Sequence, residues 1–546
     1  MRKLIPPALS ILSALFLWAA WPTSPLTFLI FIAFIPLLML ADRVKNPLAF
    51  FGCAYLALVL WNVLTTWWVG NTPIPVSGAL ANIANALLMS IPWLGYRSVR
   101  EKLGRRMGYF ALVVFWITFE HIHLRWELSW PWLTLGNVFA LYPDWVQWYD
   151  VTGAMGGTLW VLVANISLYE LGRKRQEMKT LPGGFILWKE GWKPLAVLAI
   201  PLLISGLKIL SFSSDNAKDK TEVDVVIVQP NIDPYNEKFE STGEEAVNKF
   251  LQLSAQKTNT NTRYIIWPET ALFTRGAWEH ELNDRPEIQT VRSFLLQYPN
   301  ASVITGAVTL KRYNNPREAS QTARKSQSGE LWDAFNSALL IDTSFNVQVY
   351  HKFKMVPGVE IIPYSRYFKF MENWAMDMGG ISGSYGRTPG VEVFNDQAIK
   401  NKLVPIICYE SIYGEFVARK VQLGANLIVI TTNDGWWGET QGYKQHLEYG
   451  RLRAIETRRW IARCANTGVS CFIDTYGNII APTEYWKEAV IDGKVTLGHE
   501  MTFYVKYGDY ISKAAIIFSI LLLVYTSIIL RFIRRQNVER IKQRKS

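Results

Sequence analysis

Hydrophobic and polar positions divide this chain into three textures. From Ile5 to Leu210, apolar runs of roughly 15–24 residues, the length that crosses about 30 Å of hydrocarbon, alternate with short polar connectors. They lie near Ile5–Trp21, Leu26–Leu40, Leu48–Val69, Leu80–Tyr96, Tyr109–Leu124, Gly157–Leu171 and Leu195–Leu210. From Thr221 the runs shorten, become β-branched and are separated by segments of helical spacing. A last apolar run, Ala514–Leu530, precedes a basic tail. The pattern predicts a transmembrane domain of seven helical spans over residues 1–211, an α/β domain over 212–510, and an eighth span with its tail over 511–546.

Within the middle part, strands are expected at Val223–Gln229, Tyr264–Trp267, Ser302–Leu310, Leu403–Ile407 and Asn426–Thr432, and helices at Glu244–Gln256, Pro286–Gln297, Glu415–Leu423 and His446–Trp460. Two hairpins are expected, Ser337–Asp342 with Val347–Tyr350 and Cys471–Asp474 with Asn478–Ile480. The polar stretch 311–330 reads as a surface loop. Alternation of strands and helices argues for an α/β domain, and pattern alone leaves a doubly wound sheet and a two-sheet sandwich both open.

Composition agrees with a membrane part: 50% of residues are hydrophobic and 14% aromatic. The net charge of +12 raises the question of nucleic acid, but the basic residues sit in the connectors rather than in a patch on a soluble fold. Arg2 and Lys3, Arg43 and Lys45, the Arg97–Arg106 cluster and the Arg173–Lys179 cluster fall after alternate spans, and Arg531 to Lys545 follow the eighth. The positive-inside rule then puts both termini in the cytoplasm and residues 212–510 on the outer face. The first run reads as a retained span, since further spans follow at once. The tail reads as an anchor to anionic lipid rather than an RNA-binding arm. The four cysteines have neither metal-ligand spacing nor a disulfide framework, so no metal and no cofactor is expected.

Three strands end in residues with chemistry. Leu403-Val-Pro-Ile-Ile delivers Cys408, Tyr264-Ile-Ile-Trp267-Pro268 delivers Glu269, and Tyr350-His351 delivers Lys352. Neighbouring strands in one sheet would bring the three together. A thiol attacks only as thiolate, so it needs a base such as Glu269 and a cation such as Lys352. The plain alternatives are a buried cysteine acting as a small hydrophobe and a structural Glu–Lys ion pair.

Trp267-Pro268-Glu269, Lys352 with Val356-Pro357 and Glu360, and Cys408-Tyr409-Glu410 resemble, in order and context, the nitrilase superfamily and its membrane-embedded branch, the apolipoprotein N-acyltransferases. Trp130-Pro131-Trp132-Leu133 with Gly136 is similar to that family's proline-tryptophan loop. The resemblance implies two sheets in an α-β-β-α sandwich and a Glu269–Lys352–Cys408 triad. It also implies supporting or substrate-binding roles for Trp267, Glu360, Tyr409, Glu410 and Trp436, with Glu360 and Glu410 orienting Lys352 or the amine. Two departures stand out: Gly358-Val359 replaces Phe-Gly before the second glutamate, and an expected tryptophan is matched only by Phe239.

The implied reaction moves an acyl chain from a membrane phospholipid, through a Cys408 thioester, to the α-amine of a diacylglyceryl-cysteine on an apolipoprotein. The implied setting is the bacterial inner membrane, with the catalytic domain periplasmic and the protein monomeric. A membrane-anchored amidase is the rival enzyme, and a transporter with an inert domain the rival of another class. The apolar segment 364–378 reads equally as a lid over the site or as core. Glu120, His121 and His123 read as a helix end in the headgroups or as a proton relay.

Overall fold

The computed structural model describes residues 4–71, 75–177, 189–214, 221–233, 243–364, 384–387 and 392–545. Phe239 and the segment from 365 to 378 lie outside the described residues, as do Arg2, Lys3 and Lys179.

Among the described residues, five helices are long and apolar enough to cross a membrane: Pro47–Gly70, Val76–Leu103, Ala154–Glu177, Trp192–Ser211 and Tyr510–Ile528. The helices Ile5–Ala20 and Arg105–His123 stand beside them. Pro47 opens its helix at a position where its missing N–H costs nothing, and the Asn46 side chain accepts from Leu48 N at 2.8 Å and Ala49 N at 3.1 Å. The run Leu26–Leu40 differs from expectation, forming a short 3₁₀ turn, Thr27–Phe31, and then a helix, Ile35–Arg43. Asn165 makes the break tolerable: its amide accepts from Phe34 N and donates to Ile30 O, each at 2.8 Å.

Among the described residues, the α/β part has fourteen strands: β1 Glu222–Gln229, β2 Thr262–Ile266, β3 Leu272–Trp278, β4 Ser302–Tyr313, β5 Arg324–Lys325, β6 Leu331–Ile341, β7 Gln348–His351, β8 Phe394–Asp396, β9 Asn401–Ile407, β10 Leu427–Thr432, β11 Ile461–Ala465, β12 Cys471–Ile473, β13 Ile479–Ile480 and β14 Ala489–Thr496. They form two sheets. One runs β14-β1-β2-β4-β6-β5, with β3 on β4 and β7 on β6, and the other runs β13-β12-β11-β10-β9-β8. The parallel centre of each, β1-β2-β4 and β9-β10-β11, is buried on both faces.

Alternate residues explain the layers. Val225, Ile227, Tyr264 and Ile266 meet Leu403, Ile407, Leu427 and Val429 between the sheets. Val226, Val228, Ile265 and Val303 turn outward against the helices Gly243–Ala255 and Pro286–Leu295. Ile406, Ile428 and Ile430 turn the other way, into a core shared with the membrane helices. The result is a helix–sheet–sheet–helix sandwich, not a doubly wound sheet.

The stretch expected as a surface loop at 311–330 is partly strand, because β4 and β6 run on as a ribbon that includes β5. Polar and cationic pairs hold that ribbon: Arg312 lies 5.1 Å over Trp278, Arg324 lies 5.0 Å over Trp332, and Tyr313 Oη donates to Asp333 at 2.7 Å.

The helix Gln441–Thr457 joins the two halves. Tyr449 Oη donates to Trp132 O at 2.7 Å and accepts from Trp21 Nε1 at 2.9 Å, while Gln445 Nε2 donates to Thr65 O at 3.1 Å. The Trp130–Gly136 loop is therefore packed inside the protein rather than lying at a lipid interface. Glu120 holds it: the buried carboxylate accepts from Trp116 Nε1, Leu135 N and Thr158 Oγ1 at 2.7–2.8 Å. His123, the last residue of the helix Arg105–His123, bonds Asn85 and Trp126, so Glu120 and His123 tie that helix end to the protein interior.

Candidate active site

Glu269 follows β2 on a stretch of backbone pinned to β4. Trp267 N donates to Ile304 O at 2.8 Å and Gly306 N to Pro268 O at 3.0 Å. A Cβ on Gly306 would lie 2.4 Å from Thr270 N and 2.6 Å from Glu269 Cα, so only glycine permits this approach. The Trp267 ring faces the outer layer, stacked 4.9 Å from Phe250 and bonded to Ser254 Oγ at 3.0 Å. It anchors the strand end and does not line the carboxyl.

Lys352 leaves β7 with its N–H on Asn336 O at 2.8 Å. Its ammonium, 1% exposed, donates to Glu269 Oε1 at 3.1 Å and to Glu360 Oε1 at 2.7 Å. Asn336 Nδ2 donates to the same two oxygens at 2.8 and 3.0 Å, and Val356 N fixes the other Glu360 oxygen at 2.9 Å. Burial works against the lysine's charge, yet Glu269, Glu360 and Cys408 outweigh it and hold the ammonium well above its ordinary pKa.

Cys408 stands in the second sheet, at the end of β9, so the three residues converge across two sheets and not along neighbours in one. Its φ of +50° is left-handed, uncommon for a residue with a side chain, and it opens the 3₁₀ turn Cys408–Ile412. Burial and the Glu269 carboxylate push its thiol pKa well up, while Lys352 and Thr432 pull the other way. Burial and the neighbouring carboxylate thus favour the thiol over the thiolate.

Glu410 is fully buried and ties the two sheet ends together. One oxygen accepts from Ile407 N at 2.9 Å; the other accepts from Tyr350 Oη at 2.7 Å, Phe353 N at 2.8 Å and Lys354 N at 3.2 Å. It acts on the backbone on either side of the site, whereas Glu360 touches the lysine itself. The Tyr409 hydroxyl donates to Ser129 O at 3.1 Å, docking the nucleophile's turn on the loop between membrane helices. Trp436 is 37% exposed, and its neighbour Trp437 instead packs among Trp68, Trp132 and His446.

Asn336, Tyr350 and His446 were not singled out from the sequence. Asn336 carried a readable signal, a polar residue between Ala334 and Ala338 on a strand face otherwise apolar from Trp332 to Leu340. A cavity of about 360 Å³ reaches the triad only at Glu269, with Phe250, Thr270, Phe273, Arg275 and Asn466 among its walls. Among the described residues, Cys408, Asp434 and His446 are the one grouping of metal-ligand type, their donor atoms within 4.8 Å of one another. That set is satisfied without a cation, because Asp434 pairs with Arg463 at 2.6 Å and both His446 nitrogens have partners.

Comparison with known proteins places these residues in a family. Residues 217–500 match the carbon-nitrogen hydrolase family, and residues 13–167 match the apolipoprotein N-acyltransferase N-terminal domain. The chain is 32% identical over 513 residues to the apolipoprotein N-acyltransferase of Chlorobaculum tepidum, covering 92% of this chain and 93% of that one. It is 26% identical to that of Geobacter metallireducens, covering 93% and 92%, and 22% identical to that of Thermotoga maritima, covering 95% and 93%. This membrane protein, with its nitrilase-type sandwich, belongs to the apolipoprotein N-acyltransferase family.

Proposed function

We propose that this enzyme N-acylates lipoproteins in two half-reactions carried by Cys408. The thiol attacks the ester carbonyl of a membrane phospholipid as Glu269 takes its proton, and lysophospholipid leaves. The α-amine of a diacylglyceryl-cysteine then attacks the thioester, giving the amide and restoring the thiol. Lys352 and the backbone N–H of Tyr409 face the oxyanion in both steps. Glu360 and Asn336 keep the lysine on its carboxylate, and Glu410 keeps the nucleophile's turn in register with it. The observation that carries this reading is the buried Lys352 ammonium shared by Glu269 and Glu360 at 3.1 and 2.7 Å, with Cys408 close enough to shift its charge balance.

A neutral resting thiol suits this sequence, because the proton moves to Glu269 only as the carbonyl arrives. The setting in this reading is the bacterial inner membrane, with eight spans, both termini cytoplasmic, and residues 212–510 on the periplasmic side. The connectors' charge pattern supports that topology. Docking of Tyr409 on the membrane-half loop supports delivery of lipid to the site from the bilayer side.

Phospholipid alone should release lysophospholipid and leave a hydroxylamine-labile acyl group on Cys408, discharged on adding a diacylated lipopeptide. A strict need for lipopeptide before any lysophospholipid appears would replace this scheme with direct transfer. Release of free fatty acid at the rate of thioester formation would identify an amidase-like hydrolase instead.

A further inference from the structure

A second polar chain, separate from the Glu269–Lys352–Glu360 cluster, ends on the carbonyl of the nucleophile. Ser411 Oγ donates to Cys408 O at 2.8 Å, and His446 Nε2 lies 3.0 Å from the same oxygen and 2.8 Å from Ser411 Oγ. His446 Nδ1 is 2.9 Å from Asp434 Oδ1, whose carboxylate also takes Thr432 Oγ1 at 2.7 Å and Arg463 at 2.6 Å. Ser411, Asp434, His446 and Arg463 are each 1% exposed. Buried polar groups in such number are costly unless each is paired, and here every member is held by the next. Nε2 faces a carbonyl oxygen, which can only accept, so in this arrangement Nε2 is the donor to Cys408 O, while Nδ1 stands between Asp434 Oδ1 at 2.9 Å and the Arg463 guanidinium at 3.2 Å.

The peptide joining Cys408 to Tyr409 is planar, so its C=O and N–H point in opposite directions. Donors gripping the carbonyl therefore set where the Tyr409 N–H points. They also strengthen that N–H as a donor, because hydrogen bonds on one end of an amide polarise the other. Tyr409 lies in the first turn of the 3₁₀ helix Cys408–Ile412, where an N–H has no acceptor within the helix. The grip also opposes relaxation of the left-handed φ at Cys408. We infer that Ser411, His446, Asp434 and Arg463 form a positioning relay that aims and polarises the Tyr409 N–H at the oxyanion of both half-reactions. Of the four, His446 stands on the helix Gln441–Thr457 that docks the membrane half, its ring 5.6 Å from Trp437 and 6.1 Å from Trp132.

The inference rests on the thioester reading above, and the test separates the two. The full-length enzyme in detergent is charged with phospholipid carrying a ¹³C-labelled acyl carbonyl, and the thioester C=O stretch is read by infrared difference spectroscopy. His446→Ala should shift that band to higher wavenumber and slow acylation and deacylation by the same factor, about 10²-fold, with KM for the lipopeptide unchanged. His446→Gln, whose amide can still donate, should recover most of both. Ser411→Ala should move the band the same way by less, and it serves as the test should His446→Ala fail to accumulate in membranes. A thioester with an unshifted band in His446→Ala and Ser411→Ala, or slowing of one half-reaction alone, overturns the relay. A wild-type enzyme with no thioester band overturns the acyl-enzyme reading and the relay with it.

Discussion

Two buried thiols flank β10, one on each parallel neighbour. Cys464 lies within β11, fully buried, with its Sγ directed at Val228 O at 3.2 Å and Ile266 O at 3.4 Å. Cys408 lies just past β9, in a left-handed turn, in electrostatic contact with Lys352 and Glu269. Burial pushes both thiol pKa values well up. Burial therefore does not separate nucleophile from core residue. What separates them is position relative to the strand end, because inside a strand the side chain meets the facing sheet, whereas one residue beyond it the chain can turn toward the charges gathered at the sheet edge.

The largest effect follows from removing the thiol that has those charges. Cys408→Ala should abolish acyl-enzyme formation and turnover altogether, and Cys408→Ser should fold yet turn over poorly, since a hydroxyl is a weak nucleophile under a base suited to a thiol. Labelled acyl group persisting on Cys408→Ala in a hydroxylamine assay would reassign the nucleophile. The raised thiol pKa adds a pH signature. Below its pKa a thiol gains thiolate about tenfold per pH unit, so alkylation of Cys408 by a small neutral reagent should rise through pH 9 without levelling. A plateau near the ordinary thiol value of about 8.5 would mean that burial and Glu269 do not govern this sulfur.

The cation comes next. Lys352→Met leaves a side chain of similar length without charge or donor, and acylation should fall by about 10²–10³. Protein level and melting in detergent check that the two carboxylates it separated have not unfolded the domain. Turnover within a few-fold of wild type would make the lysine a structural counter-ion.

Much of this site was legible before the structure. Glu269, Lys352 and Cys408 each end a short apolar run, and a strand that stops at a polar residue leaves a readable mark. Their convergence was not legible in detail, since no local pattern tells that Cys408 comes from a second sheet. The strands β3, β5, β8 and β14 escaped because polar and charged residues break their apolar runs: Thr274 and Arg275 in β3, Arg324 and Lys325 in β5, Asp492 and Lys494 in β14. The membrane half was legible where a span is one helix and not where Asn165 supports a break near Ile32. Glu120 and His123, polar residues in an apolar run, signalled importance, but their partners Thr158 and Asn85 are invisible to any local reading.

Asn336 gives a smaller effect and tests how the charges are arranged rather than whether they exist. Its amide bridges Glu269 and Glu360, so Asn336→Leu should leave both carboxylates short of one donor and lower acylation by about tenfold, the worth of a charge-assisted hydrogen bond. Asn336→Asp should be worse than Asn336→Leu, because a third carboxylate there repels the other two. Equal activities for the two variants would assign Asn336 to packing alone.

The smallest effect belongs to the other thiol. Cys464→Ala removes a buried sulfur and a weak S–H donor from the space between the sheets, where Cys464 packs in the same apolar layer as Ala462 and Val429. The cost should be about 1 kcal/mol of stability, in the range of a small core truncation, read as a fall of a few degrees in the melting midpoint of the detergent-solubilised enzyme. Acyl-enzyme formation and lipopeptide turnover should stay at wild-type rates, since Cys464 lies inside its strand and bonds only backbone carbonyls. A large loss of acylation in a protein that melts normally would contradict the contrast drawn between the two thiols. It would mean that the backbone at Val228 and Ile266, which Cys464 touches, sets the position of Glu269 three residues beyond Ile266, and that the inter-sheet layer is part of the catalytic geometry.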